Sequence, residues 1–206
     1  AVQGFSVGII TNNGPLDPAG ATKATHFIQT CCQAGLPILY LQNTTGYIVG
    51  RASEEAGMIK HGAKMIQAVS NANVPQVTLM CGASFGAGNY GMCGRAYQPR
   101  FLFSWPNAQT AVMGAEQAAL TMAIVMEGGM KRKGQAVDAA KISGLKKQIV
   151  ENFEKQQSAF VTSALMLDDG VIDPRDTRNV LGFALSICSD SENRTLKPIQ
   201  FGVARP

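Results

Sequence analysis

The sequence predicts one α/β domain built on a parallel sheet, and three observations carry that prediction. Short apolar runs bounded by turn residues, at 5–10, 36–41 and 76–81, alternate with stretches of helical periodicity. This is the strand-helix-strand pattern of parallel crossovers. With 206 residues, 46% of them hydrophobic, the chain is long enough for one sizeable core. A charged fraction of only 16% implies that apolar surface is covered by a partner, so a homo-oligomer is expected.

The first strand, Phe5 to Ile10, ends in the turn Thr11-Asn12-Asn13-Gly14-Pro15. A helix follows: Asp17-Pro18 supplies its N-cap and first-turn proline, Ala24, Phe27, Ile28 and Cys31 form its apolar face, and Gly35-Leu36-Pro37 stops it. The second strand, Leu36 to Leu41, feeds a polar turn from Gln42 to Tyr47, and a helical stretch runs from about Ser53 to Val69. Val74-Pro75 opens the third strand, Gln76 to Cys81, after which Gly82-Ala83-Ser84-Phe85-Gly86-Ala87-Gly88-Asn89 forms a glycine-rich entry to a helix. Further strands are expected at Phe101 to Phe103 and near Thr110 to Met113, and helices over Gly144 to Ser163 and Pro174 to Ser189.

A formal net charge of +4 with scattered Lys and Arg does not imply nucleic acid. The one basic run, Lys131-Arg132-Lys133, reads as a solvated loop among glycines. Five cysteines with no CxxC pair and no histidine at ligand spacing argue for reduced thiols, a reducing compartment and no metal. No apolar run reaches membrane-spanning length, and the opening residues resemble neither a signal nor a transit peptide. A chain that starts without Met and runs at once into a strand reads as a piece of a longer one.

The glycine-rich stretch is the most informative. A strand that ends in a glycine turn and enters a helix sets backbone N–H groups at the positive end of a helix dipole, an arrangement that binds oxyanions. Gly86, Ala87 and Gly88 carry little or no side chain, so a carbonyl could approach their amides closely. The spacing is not a dinucleotide fingerprint, and the Gly-Lys-Ser/Thr of a P-loop is absent. Spacing alone leaves two readings open: an oxyanion hole, or a turn that permits close helix-sheet packing. Side-chain chemistry is sparse: His26 and His61 sit in helices without a marked nucleophile, and Glu54, Glu55 and Glu116 read as helix N-terminal residues.

Four stretches together resemble the carboxyltransferase (β) subunits of biotin-dependent acyl-CoA carboxylases of the methylcrotonyl-CoA and geranyl-CoA type. They are Gln42-Asn43-Thr44-Thr45-Gly46-Tyr47-Ile48-Val49-Gly50-Arg51, Ser84 to Tyr97, Trp105-Pro106-Asn107-Ala108, and Val112-Met113-Gly114-Ala115-Glu116-Gln117-Ala118-Ala119. Asp168 to Arg178 and Phe201-Gly202-Val203 extend the likeness, so 1–206 resembles the C-terminal domain of such a subunit. The sequence departs from the family pattern at Gly114-Ala115, where two glycines are more usual. The resemblance implies a crotonase (ClpP-like) fold with stacked parallel-rich sheets and a helical C-terminal segment.

It further implies carboxyl transfer from carboxybiotin to the γ-carbon of 3-methylcrotonyl-CoA or geranyl-CoA, with Phe85 and the Gln42 to Thr45 turn closer to the geranyl type. Carried over by position, Ala87 and Gly88 supply the backbone amides for the biotin ureido oxygen, Gly86 the turn, and Phe85, Asn89, Thr44, Thr45, Gly46 and Tyr47 the walls. The implied partners are an N-terminal carboxyltransferase half, acyl-CoA, a hexameric β core and an α subunit that carries biotin and uses ATP and bicarbonate. The implied compartment is the bacterial cytoplasm or the mitochondrial matrix. Two alternatives are a crotonase-type hydratase or isomerase, with Glu116 as the candidate for its catalytic Glu, and a non-catalytic module that binds the biotin carrier or builds an oligomer.

Overall fold

A computed structural model of the chain describes residues 1–134, 136, 138–198 and 202. Among them, five strands form one parallel sheet: β1 Gly8–Thr11, β2 Ile38–Thr44, β3 Gln76–Phe85, β4 Phe101–Ser104 and β5 Gln109–Ala111. The order is β1-β2-β3-β4, with Gly8 opposite Ile38, Ile38 opposite Gln76 and Val77 opposite Phe101. The last residues of β3 pair instead with β5, Ala83 opposite Gln109. The α/β class, the parallel sheet and the helical C-terminal region are as expected. The expected stacking of sheets reduces to this offset, in which β5 takes over from β4 along the long third strand.

Alternation along the strands decides what covers each face. Ile38 and Tyr40 pack with Ile28 and Met65 from helices α1 (Pro18–Gln33) and α3 (Met58–Asn71). Leu39, Val77 and Leu79 point the other way, against Leu181 and Leu185 of α8 (Thr177–Asn193). α1 starts where expected: the Asp17 carboxylate accepts from the Gly20 N–H at 2.6 Å, with Pro18 in the first turn.

Several expected boundaries move, each for a visible reason. The helix expected from Ser53 to Val69 is two, α2 (Arg51–Glu55) and α3, separated at Gly57, whose φ of +85° no right-handed helix accommodates. The turn expected from Gln42 begins later, because Gln42, Asn43 and Thr44 continue β2. The strand expected to stop at Cys81 runs to Phe85. The expected helix from Gly144 to Ser163 starts earlier, at α6 (Ala139–Gln156), capped by Asp138. It breaks before α7 (Ala159–Ala164), because the chain turns out of the helix at Ser158 to bridge Gln109 of β5, with the Gln157 carbonyl accepting from the Thr110 N–H at 2.9 Å. Pro174 to Asp176 is a 3-10 turn that leads into α8. Lys131 and Arg132 belong to the last turn of α5 (Ala115–Arg132) rather than to a loop, where they face the negative end of its dipole. Phe201 and Val203 lie outside the described residues.

Candidate functional site

β3 delivers the chain into α4 (Gly86–Gly91), a six-residue helix with Phe85 at its N-cap and no capping side chain. The leading N–H groups of a helix have no intrahelical acceptor, so this first turn presents backbone donors. Gly86 is held at φ +52°, and a Cβ there would lie 2.8 Å from the Val112 carbonyl oxygen. Only glycine fits this crossing of the loop after β5. Ala87 is exposed and Gly88 buried.

The Thr44–Tyr47 turn lies directly against this helix. A Cβ on Gly88 would be 2.8 Å from Thr44 Oγ1 and 2.9 Å from Gly46 Cα. Thr44 is fully buried, Gly46 and Tyr47 are half-buried and Thr45 is exposed. The turn is fixed from outside by Leu16, whose N–H donates to the Gly46 carbonyl and whose carbonyl accepts from the Ile48 N–H, both at 2.9 Å. The Tyr47 ring packs on Gly62, and its hydroxyl abuts Gly91 at the far end of α4. That hydroxyl is buried with no hydrogen-bond partner, and burial, then the neighbouring Tyr97, pushes its pKa up to about 12. Asn43 ties the strands that precede both turns: its Oδ1 accepts from the Ala83 N–H at 2.9 Å and its Nδ2 donates to Asn13 Oδ1 at 2.6 Å.

The structure therefore gathers Thr44, Gly46, Tyr47, Phe85, Gly86, Ala87, Gly88 and Asn89 around one short helix. Four of these side chains turn inward: Thr44 is fully buried, Phe85 is buried with its ring against Gly114, the Tyr47 hydroxyl lies against Gly91, and the Asn89 amide donates to Ser84 Oγ at 2.8 Å. The segment Val112–Gly114, singled out in the sequence as part of a family stretch but given no role among the site residues, crosses Gly86 and, as Gly114, forms the N-cap of α5. Its closeness comes from β5 pairing with the end of β3, and no local signal in the sequence announces that pairing.

No charged side chain is hydrogen-bonded to α4 among the described residues. Glu116 is exposed in the first turn of α5, Glu54 lies in the first turn of α2, and Glu55 pairs with Arg51 at 2.7 Å. His61 Nδ1 lies 2.9 Å from Thr22 Oγ1. His26 lines a cavity of about 640 Å³ beside β1 and α1, together with Ile9, Phe27, Met65 and Met92; no residue of 44–47 or 85–89 lines it. All five cysteines are free, and burial raises Cys81 to about 11 and Cys93 to about 12. Among the described residues no group of His, Cys, Asp or Glu is placed to hold a metal ion, and no helix is long and apolar enough to cross a membrane. What the gathered residues offer is a set of backbone donors in an uncharged setting, suited to an oxygen that accumulates negative charge.

The carboxyl transferase domain family matches residues 1–201. The chain belongs to this family. It is 47% identical over 206 residues to the mitochondrial methylcrotonoyl-CoA carboxylase β chain of Dictyostelium discoideum, covering 99% of this chain and 34% of that protein. The crystal structure of the P. aeruginosa geranyl-CoA carboxylase β subunit superposes with a TM-score of 0.91 at 48% identity, over 99% of this chain and 38% of that one. A crystal structure of transcarboxylase 12S, described as a hexamer assembly with hydrolysed methylmalonyl-coenzyme A bound, gives a TM-score of 0.79 at 30% identity, over 100% of this chain and 38% of that one. The carboxyl transferase domain described here thus spans about a third of the length of these relatives. Its fold is theirs, the crotonase fold of carboxyltransferases.

Proposed function

We propose that the chain is the biotin-facing half of a carboxyltransferase site, corresponding to the C-terminal domain of an acyl-CoA carboxylase β subunit. The counterpart N-terminal half holds the acyl-CoA, and an α subunit brings the biotin and carries out the ATP- and bicarbonate-dependent step. The observation that carries this reading is the uncapped first turn of α4, exposed at Ala87, packed through Gly88 against the Thr44–Tyr47 turn and free of charged partners.

These residues fit biotin by the chemistry of their donors. A neutral ureido carbonyl needs N–H donors and no competing carboxylate, and α4 offers that combination. Biotin, when bound, supplies the carboxyl group that replaces a γ-hydrogen of the acyl-CoA and the ureido group that takes up the displaced proton. The chain's own part is to donate the Ala87 and Gly88 N–H groups to the ureido oxygen, to hold them through the Gly86 crossing and the buried Thr44 and Phe85, and to wall the site with Thr45 and Gly46. Tyr47 and Asn89 support the helix from within. No side-chain acid or base is required of this half.

The unpaired cysteines suit the bacterial cytoplasm or the mitochondrial matrix. The outer face of α5, with Leu120 54% and Ile124 62% exposed, supports a β-core oligomer, which we take to be a hexamer. The substrate is 3-methylcrotonyl-CoA or geranyl-CoA, and identities of 47% and 48% to the two kinds of relative leave the choice to an assay. The test is ATP-dependent carboxylation of both acyl-CoAs by the full β subunit with its α partner. Carboxylation of either supports the reading; inactivity toward both, with hydration of an enoyl-CoA that Glu116→Gln abolishes, sinks it.

A further inference from the structure

A six-residue helix with three glycines has almost no helical stability of its own, so something outside α4 must fix where its N–H groups point. One polar chain does this. Asn89 Nδ2 donates to Ser84 Oγ at 2.8 Å, Ser84 Oγ donates to Gln42 Oε1, and Gln42 Nε2 donates to the Met92 carbonyl at 2.5 Å. Gln42, Ser84 and Met92 are fully buried.

The direction of the chain is forced. The Met92 carbonyl only accepts, so the Gln42 amide must turn its NH₂ toward it and its oxygen toward Ser84. Ser84 has one proton, which goes to that oxygen, so it must accept from Asn89. The chain joins the second half of α4 (Asn89) and its C-cap (Met92) to β3 two residues before Gly86, and to β2 two residues before Thr44. Both elements of the proposed site therefore hang on the same three side chains.

We infer that Gln42, Ser84 and Asn89 are positioning residues, which orient the α4 amides and lock them to the Thr44–Tyr47 turn. The inference rests on the carboxyltransferase reading. Asn89 in this role touches no ligand and acts through Ser84. A chain with a single direction makes a specific demand: position 89 must donate. Asn89→Asp keeps the shape but offers two acceptors at neutral pH, leaving a buried acceptor without a proton. Protonation of that carboxyl restores a donor.

The experiment measures carboxyl transfer by the assembled holoenzyme in wild type, Asn89→Asp, Asn89→Ala and Gln42→Met, with oligomeric state and melting recorded for each. All three variants should lose at least about tenfold in kcat, with KM for the acyl-CoA, held by the other half, unchanged. The activity of Asn89→Asp relative to wild type should climb as the pH is lowered, while the ratio for Asn89→Ala stays flat. In hydrogen exchange, peptides covering 85–92 should lose protection in Gln42→Met. The inference is overturned if assembled Asn89→Asp and Asn89→Ala keep wild-type kcat, or if their pH profiles coincide. A wild type that transfers carboxyl groups while Ala87→Pro does not, beside normal Asn89 variants, removes the positioning role alone; a wild type without any transfer removes the functional reading and this inference with it.

Discussion

Replacing Ala87 by proline deletes one backbone N–H from the first turn of α4 and changes no charge. Proline is tolerated in a first helical turn because the N–H it lacks has no intrahelical acceptor. Ala87 is also exposed, so the ring displaces solvent rather than core. Gly88 is a poorer probe, since any Cβ there would sit 2.8 Å from Thr44 Oγ1 and disturb the packing of the turn as well. Loss of one oxyanion donor removes roughly 2.7–4 kcal/mol of transition-state stabilisation, which corresponds to about 10²–10³ in rate. The assay is steady-state carboxylation by the α-β holoenzyme, with sedimentation and thermal melting as controls. The expected result is a fall of that size in kcat with an unchanged oligomer and an unchanged KM for acyl-CoA. A variant that assembles normally and retains more than about a tenth of wild-type kcat would show that the α4 amides do not carry the charge, because a tenfold loss accounts for only about 1.4 kcal/mol.

Three further outcomes follow from individual residues. The Tyr47 hydroxyl is buried without a partner, so Tyr47→Phe should leave the melting temperature unchanged or raise it, by relief of a desolvation penalty of about 1–3 kcal/mol; a marked fall would reveal a partner for that hydroxyl. Cys93 is raised by burial from 9.0 to about 12, so between those pH values the folded state holds a proton that the unfolded state gives up, and stability declines as pH rises. Cys93→Ala should make the decline of melting temperature above pH 9 shallower, and an identical slope would count against a buried thiol there. Ile124→Glu, at a site 62% exposed on α5, should shift sedimentation of the β core toward smaller species with little loss of thermal stability in the dissociated subunit.

The elements whose signals are local were legible in the sequence. Asp17-Pro18 and Gly35-Leu36-Pro37 bracket α1 to within about two residues, and the apolar runs mark β1 to β4. Misreadings arose where polar residues sit inside ordered structure. Gln42, Asn43 and Thr44 look like a turn because they are polar, yet they continue β2. Their polar groups are met across the fold, Gln42 by Ser84 and Met92, and Asn43 by Ala83 and Asn13. A pattern of polarity records what a side chain is, while its partner lies up to fifty positions away. The break at α6 and α7 was hidden for the same reason, since it exists to let residues 157–158 reach β5.

The candidate site shows the same division between local and distant information. Gly86-Ala87-Gly88 announces a place where backbone is bared, but the sequence leaves open whether the bared face meets a ligand or protein. The structure answers differently for each residue. Gly86 lacks a side chain because the Val112 carbonyl lies against it, and Gly88 because Thr44 and Gly46 do. Those glycines are explained by packing alone. Ala87 is the residue of the three that faces outward, so oxyanion binding is carried by its N–H, with that of Gly88 beside it and the dipole behind them, and not by the lack of side chains at the glycines. The glycines are the means by which two turns and a short helix come close enough for that N–H to be held still. A site made of amides also leaves no trace among the titratable residues: its chemistry depends on how well α4 is fixed, and so on Gln42, Ser84 and Asn89.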